Sequence, residues 1–541
     1  MSPPLTNGQA RVERLGGWGA AAAIGIAAAV AAMSLVRAGI FDDSWMFYRY
    51  SLHVREGLGV AWNPDGIPTY GLTSLLWLFV VLPFTFLPLD AMDLLRVASC
   101  ATGVLALIIM AQTVMRHASS IMAQPVIALA SVAVPLLVVP DFVMNLGSGM
   151  DTMLSLAANA ALVSVVLRYL RTPSQASALA VGVLAYVSVL ARPDNGICAL
   201  GVPFLAWLVL SKDRNWQHLA GLVGLPSILI AAELAFCDWY FGVPVPLGFY
   251  AKSARSYVGF VSRERALDYL ADGAAYALPF VAALCGTVRR PELPRLAVFL
   301  PPPAATFLYL LTVRQIMGFG GRYYVPFLPF LIVPALLCVD GFPGGFRRLW
   351  LRLSLALLLL VVLYKVSEPL VAELSAARLR GLEAQAVPVP RPPITAREPL
   401  PAIANHVEIV AEQIAGRLPP GASIAASEVG RLGARAIDNP VIDLVGLNDT
   451  AIGRRGVDMD ALMQRLPDVI FFPHTDYTGL RQELLSDRRL QQRYMFIRWA
   501  FVYGLAIRRD SAFRPEIEAL VRAAWEKRYP GYRLDDYVAR W

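Results

Sequence analysis

Twelve stretches of this 541-residue chain are apolar enough to be weighed as membrane spans: 17–39, 73–89, 94–114, 121–140, 151–169, 176–191, 196–211, 217–236, 270–288, 295–313, 323–340 and 349–365. A helix needs about 20 apolar residues to cross a bilayer, and most of these runs come close to that length. Seven polar stretches interrupt the pattern: "FDDSWMFYRY" (41–50), "GLGVAWNPDG" (57–66), "TYGLTSLLW" (69–77), "NLGSGMDTML" (145–154), "ARPDNG" (191–196), "DWYFGVPVPLGFYAKSARS" (238–256) and "GFGGRYYVPFLP" (318–329). Beyond residue 365 the pattern changes. Residues 366–400 are rich in Pro, Ala and Arg, as in an extended linker. Residues 401–541 carry short β-branched and aromatic runs ("ASIAAS", "PVIDLVGL", "DVIFF", "MFIRWAFVYGLAIRRD") bounded by Gly, Pro and Asn, which predict strands of a small α/β domain.

Composition agrees with a polytopic membrane protein: 57% of residues are hydrophobic and 16% charged, against about 25% charged in soluble domains. The net charge of +8 fits cytoplasmic loops and headgroup contacts. No basic stretch with interleaved aromatics points to nucleic acid. The five cysteines lie in or beside apolar segments without CxxC spacing, so neither a disulfide framework nor a zinc site is expected. Arg11 and Arg14 precede the run from Leu15 to Val36, which reads as a retained first helix rather than a cleaved signal.

Positive charge sorts the spans. If all twelve crossed, the clusters at Arg116, Arg168, Lys212, Arg289 and Arg347 would lie opposite Arg11. Letting 73–89 lie in the outer interface places every basic cluster on the cytoplasmic side. The expected topology has eleven crossings, a cytoplasmic N-terminus and an extracytoplasmic C-terminal domain in a bacterial plasma membrane. All seven polar stretches then fall on the outer face. A transporter would instead place ionisable groups and broken helices near the midplane, often in matching halves. The expected domains are a transmembrane catalytic domain at 1–365, whose first outer loop (41–93) holds interfacial helices, the linker at 366–400 and an α/β domain at 401–541.

Polar groups gathered at one membrane edge suit transfer of a sugar from a polyprenyl-phosphate carrier. Such chemistry needs a carboxylate to take the proton of the attacking hydroxyl, cations to hold the departing phosphate, and a site that excludes water. Asp42 and Asp43 supply the first. Lys252, Arg255, Arg322, Arg192 and Arg49 are candidates for the second.

Residues 41–77 resemble the first outer loop of C-type membrane glycosyltransferases, and in particular the mycobacterial terminal arabinofuranosyltransferase family, with its DD pair and "NPGE..EGYTS.LW" pattern. Further similarities follow in order: "GSGMDT", "LARPDNG", "YFGVPVPLGFYAKS", "GGRYYVPFLP" and "VIDLVGLND". The resemblance touches residues 41 to about 480. It implies inverting transfer from a polyprenyl-phosphate sugar, with D-arabinofuranose as the sugar, to a cell-envelope glycan, a lipid-linked or a surface acceptor. It assigns the general base to Asp42, with Asp43 as its neighbour. Ile67–Pro68–Thr69 stand where the family pattern has an acid, Asp151 replaces a Glu, and "VPLGF" has lost an Asn. These differences fall around the implied substrate site and bear on the choice of sugar.

Plainer readings stand beside several of these roles. Acids ending the first membrane helix would oppose its macrodipole, which argues against simple capping by Asp42 and Asp43. Arg192 can bind phosphate or pair locally with Asp194. Asp151 can contact substrate or partner an arginine. Arg49, about two helical turns after Asp42, can touch substrate or orient the acid. Trp45, Tyr70, Tyr250 and Tyr323 are substrate-contact candidates, although an interfacial aromatic belt uses the same residue types. His474 with Asp476 is a weak metal pattern, and Asp42 and Asp43 lack an obvious third ligand nearby, so no divalent metal is expected; the polyprenyl-phosphate sugar is a donor substrate and no cofactor is expected. Two other functions remain open: a carrier or translocase for sugar lipids, and a non-catalytic assembly partner that binds glycan.

Overall fold

The computed structural model describes residues 41–118, 121–137, 140–210, 215–251, 293–312, 321–340, 406–474, 477–498, 500–501 and 503–539. The expected spans at 17–39, 270–288 and 349–365 and the linker at 366–400 lie outside the described residues. The chain divides into two compact units. One holds Leu95–Ala232 and Val261–Glu383 together with Met1–Ile40. The other holds Phe41–Leu94, Glu233–Phe260 and Ala384–Trp541. The first loop, Phe41–Leu94, falls in the second unit with the C-terminal residues.

Among the described residues, four helices have the length and apolar composition to cross a bilayer: Ala91–His117, Thr152–Arg171, Pro193–Leu210 and Trp216–Phe241. In the first unit, Thr152–Arg171 carries Arg168 and Arg171 in its last turn, where cations complement the macrodipole. The Gln175–Ala191 helix starts at a capping box formed by Ser174 and Ser177. It ends before Pro193, whose ring starts a 3-10 turn over Pro193–Asn195, and Gly196–Leu210 follows. A β-carbon on Gly182 would stand 2.0 Å from the Gly221 carbonyl oxygen, so small residues set the approach of these two segments. A buried polar network ties down the turn at 192–195. Asn195 donates to the Ser188 carbonyl (2.7 Å), Asn159 donates to the Pro326 carbonyl (2.8 Å), and Ser188 donates to the Asn159 side-chain oxygen (2.5 Å).

The segment at 73–89 forms a seven-residue helix, Leu75–Val81, capped by Ser74 and continued by a 3-10 turn over Leu82–Phe86. Twelve residues rise about 18–20 Å at most, short of a bilayer's hydrocarbon core.

The C-terminal part of the second unit is a five-stranded mixed sheet. Its strands are β1 (Ile424–Ala426), β2 (Val441–Asp443), β3 (Val469–Phe471), β4 (Tyr494–Ile497) and β5 (Leu505–Arg508), in the order β2-β1-β3-β5-β4. β1 runs parallel to β2 and β3, with Ile424 opposite Val441 and Val469. β5 closes antiparallel on β3 and β4. The three parallel strands are wholly buried, which explains why they read as continuous apolar runs.

β2 is an edge strand, and the first loop covers it. Trp62 donates its indole N–H to the Val441 carbonyl (3.1 Å), and the Asn63 side-chain oxygen accepts the Val441 N–H (2.8 Å). The loop's main helix, Asp42–Arg55, buries nine of its 14 residues and packs on the short helix Gly430–Arg435 that follows β1. Arg49 fixes this packing. Its side chain is fully buried and lies 4.7 Å from the Trp62 ring. Its guanidinium donates to the carbonyls of Trp62 (2.7 Å), Gly433 (2.5 Å), Ala436 (2.7 Å) and Asn439 (2.9 Å).

Removing Arg49 would leave those four carbonyls buried with their partner gone. Arg49→Met is expected to destabilise the protein by roughly 3 kcal/mol or more, the scale of breaking a buried charged network. Thermal unfolding of the full chain in detergent should show an apparent Tm lowered by several degrees. An unchanged Tm would contradict this role.

Candidate functional site

Asp42 and Asp43 open the Asp42–Arg55 helix, after Phe41 in extended conformation. They therefore sit in a first turn, where the macrodipole favours acids. The expected first span that they would follow lies outside the described residues; the dipole that acts on them here is that of the helix they begin.

The Asp42 carboxylate reaches a second helix as well. One oxygen accepts the Gly430 N–H and the other the Arg431 N–H, each at 2.9 Å. These are donors of the first turn of Gly430–Arg435, which have no partner within their own helix. A β-carbon on Gly430 would lie 1.9 Å from the Asp42 main-chain oxygen and 2.7 Å from its carboxylate, so only glycine fits there. Arg431 lies over the Trp45 ring at 5.3 Å and forms an ion pair with Glu412 at 2.5 Å. Seven residues along the first helix, Arg49 binds the carbonyl end of the same short helix. An acid and a base about 10 Å apart on one helix thus cap opposite ends of the other.

Burial raises the Asp42 carboxyl from 3.8 to about 6. The Arg431 and Gly430 amides pull it down, and the negative charge of Asp43 pushes it up. Asp42 keeps a minor part of its surface exposed. The result is a carboxylate oriented by main chain, ionised at neutral pH and poised within reach of it, which suits proton abstraction. Burial also lowers Arg49 to about 9, so Arg49 stays charged at neutral pH.

The other sequence candidates fall into separate places. Arg49 has its guanidinium committed to carbonyls, a positioning arrangement rather than a surface offered to substrate. Trp45 is buried beneath Arg431. Tyr70 is buried and stacked on Phe241 at 4.7 Å, and its carbonyl accepts the Leu247 N–H (2.8 Å). Tyr250 lies under Arg454 at 5.8 Å. In the first unit, Arg192 forks onto both oxygens of Asp194 (3.0 and 2.8 Å) and reaches Asp151 at 3.3 Å. The ring of Tyr323 lies 5.4 Å from the Arg192 guanidinium and 5.3 Å from that of Arg322. Both plainer readings, Arg192 with Asp194 and Asp151 as partner of an arginine, describe contacts that are present. Lys252 and Arg255 lie outside the described residues.

Sequence reading did not single out Gly430, Arg431, Asp443 or Asn448 as site residues. Asp443 is buried and accepts the N–H groups of Val445, Gly446 and Asn448 and the Asn448 side-chain amide. Asn448 in turn accepts the Tyr50 hydroxyl (3.1 Å). Burial pushes the Asp443 carboxyl up to about 7. The signals available were slight: the acid and amide of "VIDLVGLND".

The fold has a counterpart among solved membrane-protein structures. The chain is similar to ArnT from Cupriavidus metallidurans in its crystal structure bound to undecaprenyl phosphate. The TM-score is 0.52 at 14% identity, covering 90% of this chain and 97% of that one. The apo state of the same protein gives a TM-score of 0.48 at 14% identity with the same coverage. Residues 401–527 match a family described as a domain of unknown function, DUF8728. No curated protein matches the chain.

Asp42 binds its proton more tightly in the folded than in the unfolded chain. The stability it contributes is complete below about pH 4 and lost as pH rises through about 6. Asp42→Asn lacks this titration. The Tm of wild type minus that of the variant should therefore fall between pH 4 and 6 and level off above 7. A difference that stays flat across that window would mean the carboxyl is not raised.

Proposed function

We propose that this chain is a membrane glycosyltransferase that moves a sugar from a polyprenyl-phosphate donor to a hydroxyl of a cell-envelope glycan or surface acceptor, on the extracytoplasmic face and with inversion. The observation that carries the reading is the likeness of fold along 90% of the chain to a protein crystallised with undecaprenyl phosphate. The partly exposed, main-chain-oriented Asp42 supplies the chemistry that such a fold needs. D-arabinofuranose is the sugar that the sequence resemblance favours.

In this reaction the acceptor oxygen attacks the anomeric carbon from the face opposite the phosphate. The carbon–oxygen bond to phosphate breaks, and polyprenyl phosphate leaves with the electron pair. Asp42 takes the hydroxyl proton as the new glycosidic bond forms. Asp43 raises the basicity of its neighbour through like charge. Arg322 and Arg192, with Lys252 and Arg255, are the cations proposed to stabilise the charge gathering on the leaving phosphate.

Purified full-length protein in nanodiscs, given radiolabelled decaprenyl-phosphate arabinofuranose and an arabinan acceptor, should form labelled glycan. Asp42→Asn should lower kcat by about a hundredfold or more, the usual scale of a lost general base. Full transfer by both Asp42→Asn and Asp43→Asn would remove the base assignment. Label that crosses vesicles without a new glycosidic bond would identify a carrier instead.

A further inference from the structure

In open α/β sheets, anionic ligands settle outside the carboxyl ends of the strands, where the strand order reverses and a helix N-terminus presents its amides. Here the order β2-β1-β3 puts that reversal at β1. The chain leaves β1 through Ser427–Val429 and enters the Gly430–Arg435 helix. The group at that place is a side chain of the protein itself, the Asp42 carboxylate, bound through both oxygens.

Three further contacts make the arrangement specific. Gly430 leaves no room for a β-carbon against Asp42. Arg431 is held between the Trp45 ring and Glu412 of the His406–Gln413 helix. Arg49 binds the far end of the helix, so the helix can neither slide along Asp42–Arg55 nor rotate on it without breaking bonds at one end. The charged groups facing Asp42 are Asp43 on its own helix and Arg431 on the partner.

We infer that the C-terminal α/β domain is a positioning element of the transfer reaction, in which the Gly430 and Arg431 amides hold and orient the Asp42 carboxylate. This rests on the reading of Asp42 as general base. It gives residues 401–527, matched to a domain of unknown function, a definite task. Gly430 and Arg431 are positioning residues, since they act through Asp42. Loss of either amide leaves the donor site intact while the base is misplaced and its proton harder to remove.

The test compares full-length variants in the nanodisc transfer assay with radiolabelled decaprenyl-phosphate arabinofuranose, across pH. Gly430→Ala should lower kcat roughly tenfold or more with little change in KM, because misplacing a catalytic group by about an ångström acts on the chemical step. The acid limb of its pH profile should move upward by about one unit, since amide donors favour the ionised carboxylate. Gly479→Ala, in open space on another helix, is the control and should match wild type. If Gly430→Ala fails to fold, Arg431→Pro against Arg431→Ala gives the same answer. Both lose the side chain, and only the first loses the amide, at a helix position in the first turn. Arg431→Pro should show the lower kcat and the higher acid limb of the two. An unmoved acid limb in these variants, or a defect confined to KM, would overturn the positioning role while leaving the base assignment standing. Full transfer by Asp42→Asn would instead remove the reading on which it rests.

Discussion

The second unit depends on how it buries Arg49. A guanidinium taken out of water costs several kcal/mol unless nearly every donor finds an acceptor. Here four main-chain carbonyls, three of them from the stretch 433–439, meet that demand. Because those carbonyls belong to the end of a short helix and the loop after it, satisfying Arg49 also fixes where that helix begins. Its free amides must then be met from the same neighbouring helix, and Asp42 meets them. One residue at each end of a two-turn interval thus sets both the distance and the rotation between the helices. The acid proposed to do chemistry inherits its orientation from a contact whose first purpose is to satisfy backbone.

The same logic runs through the rest of the first loop. Trp62 and Asn63 close the open edge of β2, which would otherwise present unpaired backbone groups. Tyr50 and Asn448 join the loop to the turn after β2, and Gly71 lies where a β-carbon would meet the Asn448 side-chain oxygen at 2.1 Å. Most of the polar positions that drew attention to residues 41–77 are therefore occupied with holding the loop to the C-terminal sheet. Asp42 is distinctive because it combines this structural role with partial exposure and a raised carboxyl.

Local patterns carried much of the fold in the sequence. The apolar runs at 94–114, 151–169, 196–211 and 217–236 appear as the long helices, and "DVIFF" supplies β3 because strands buried on both faces show as unbroken apolar runs. The Asp42–Asp43 pair was legible because charge beside an apolar run is costly. The partners of that pair were not legible. Gly430 and Arg431 stand some 390 residues away, in an unremarkable helical turn, and no periodicity couples a loop glycine to a distant acid. The partners of Arg49 were hidden for the same reason: an arginine two turns from an acid reads equally as a substrate contact or as a group that orients the acid, and its carbonyl partners stand at 433–439. Arg192 shows the converse, since its partner Asp194 lies two residues on and the local pairing could be weighed from the sequence itself.

In the proposed reaction Asp42 faces the sugar while the C-terminal domain holds it from behind. A density map of the full chain with a non-hydrolysable polyprenyl-phosphonate sugar bound tests this most directly. The account predicts the anomeric carbon on the exposed side of the Asp42 carboxylate, with both oxygens still bonded to the Gly430 and Arg431 amides. A sugar bound away from Asp42, with the carboxylate shut off by protein on every side, would contradict it.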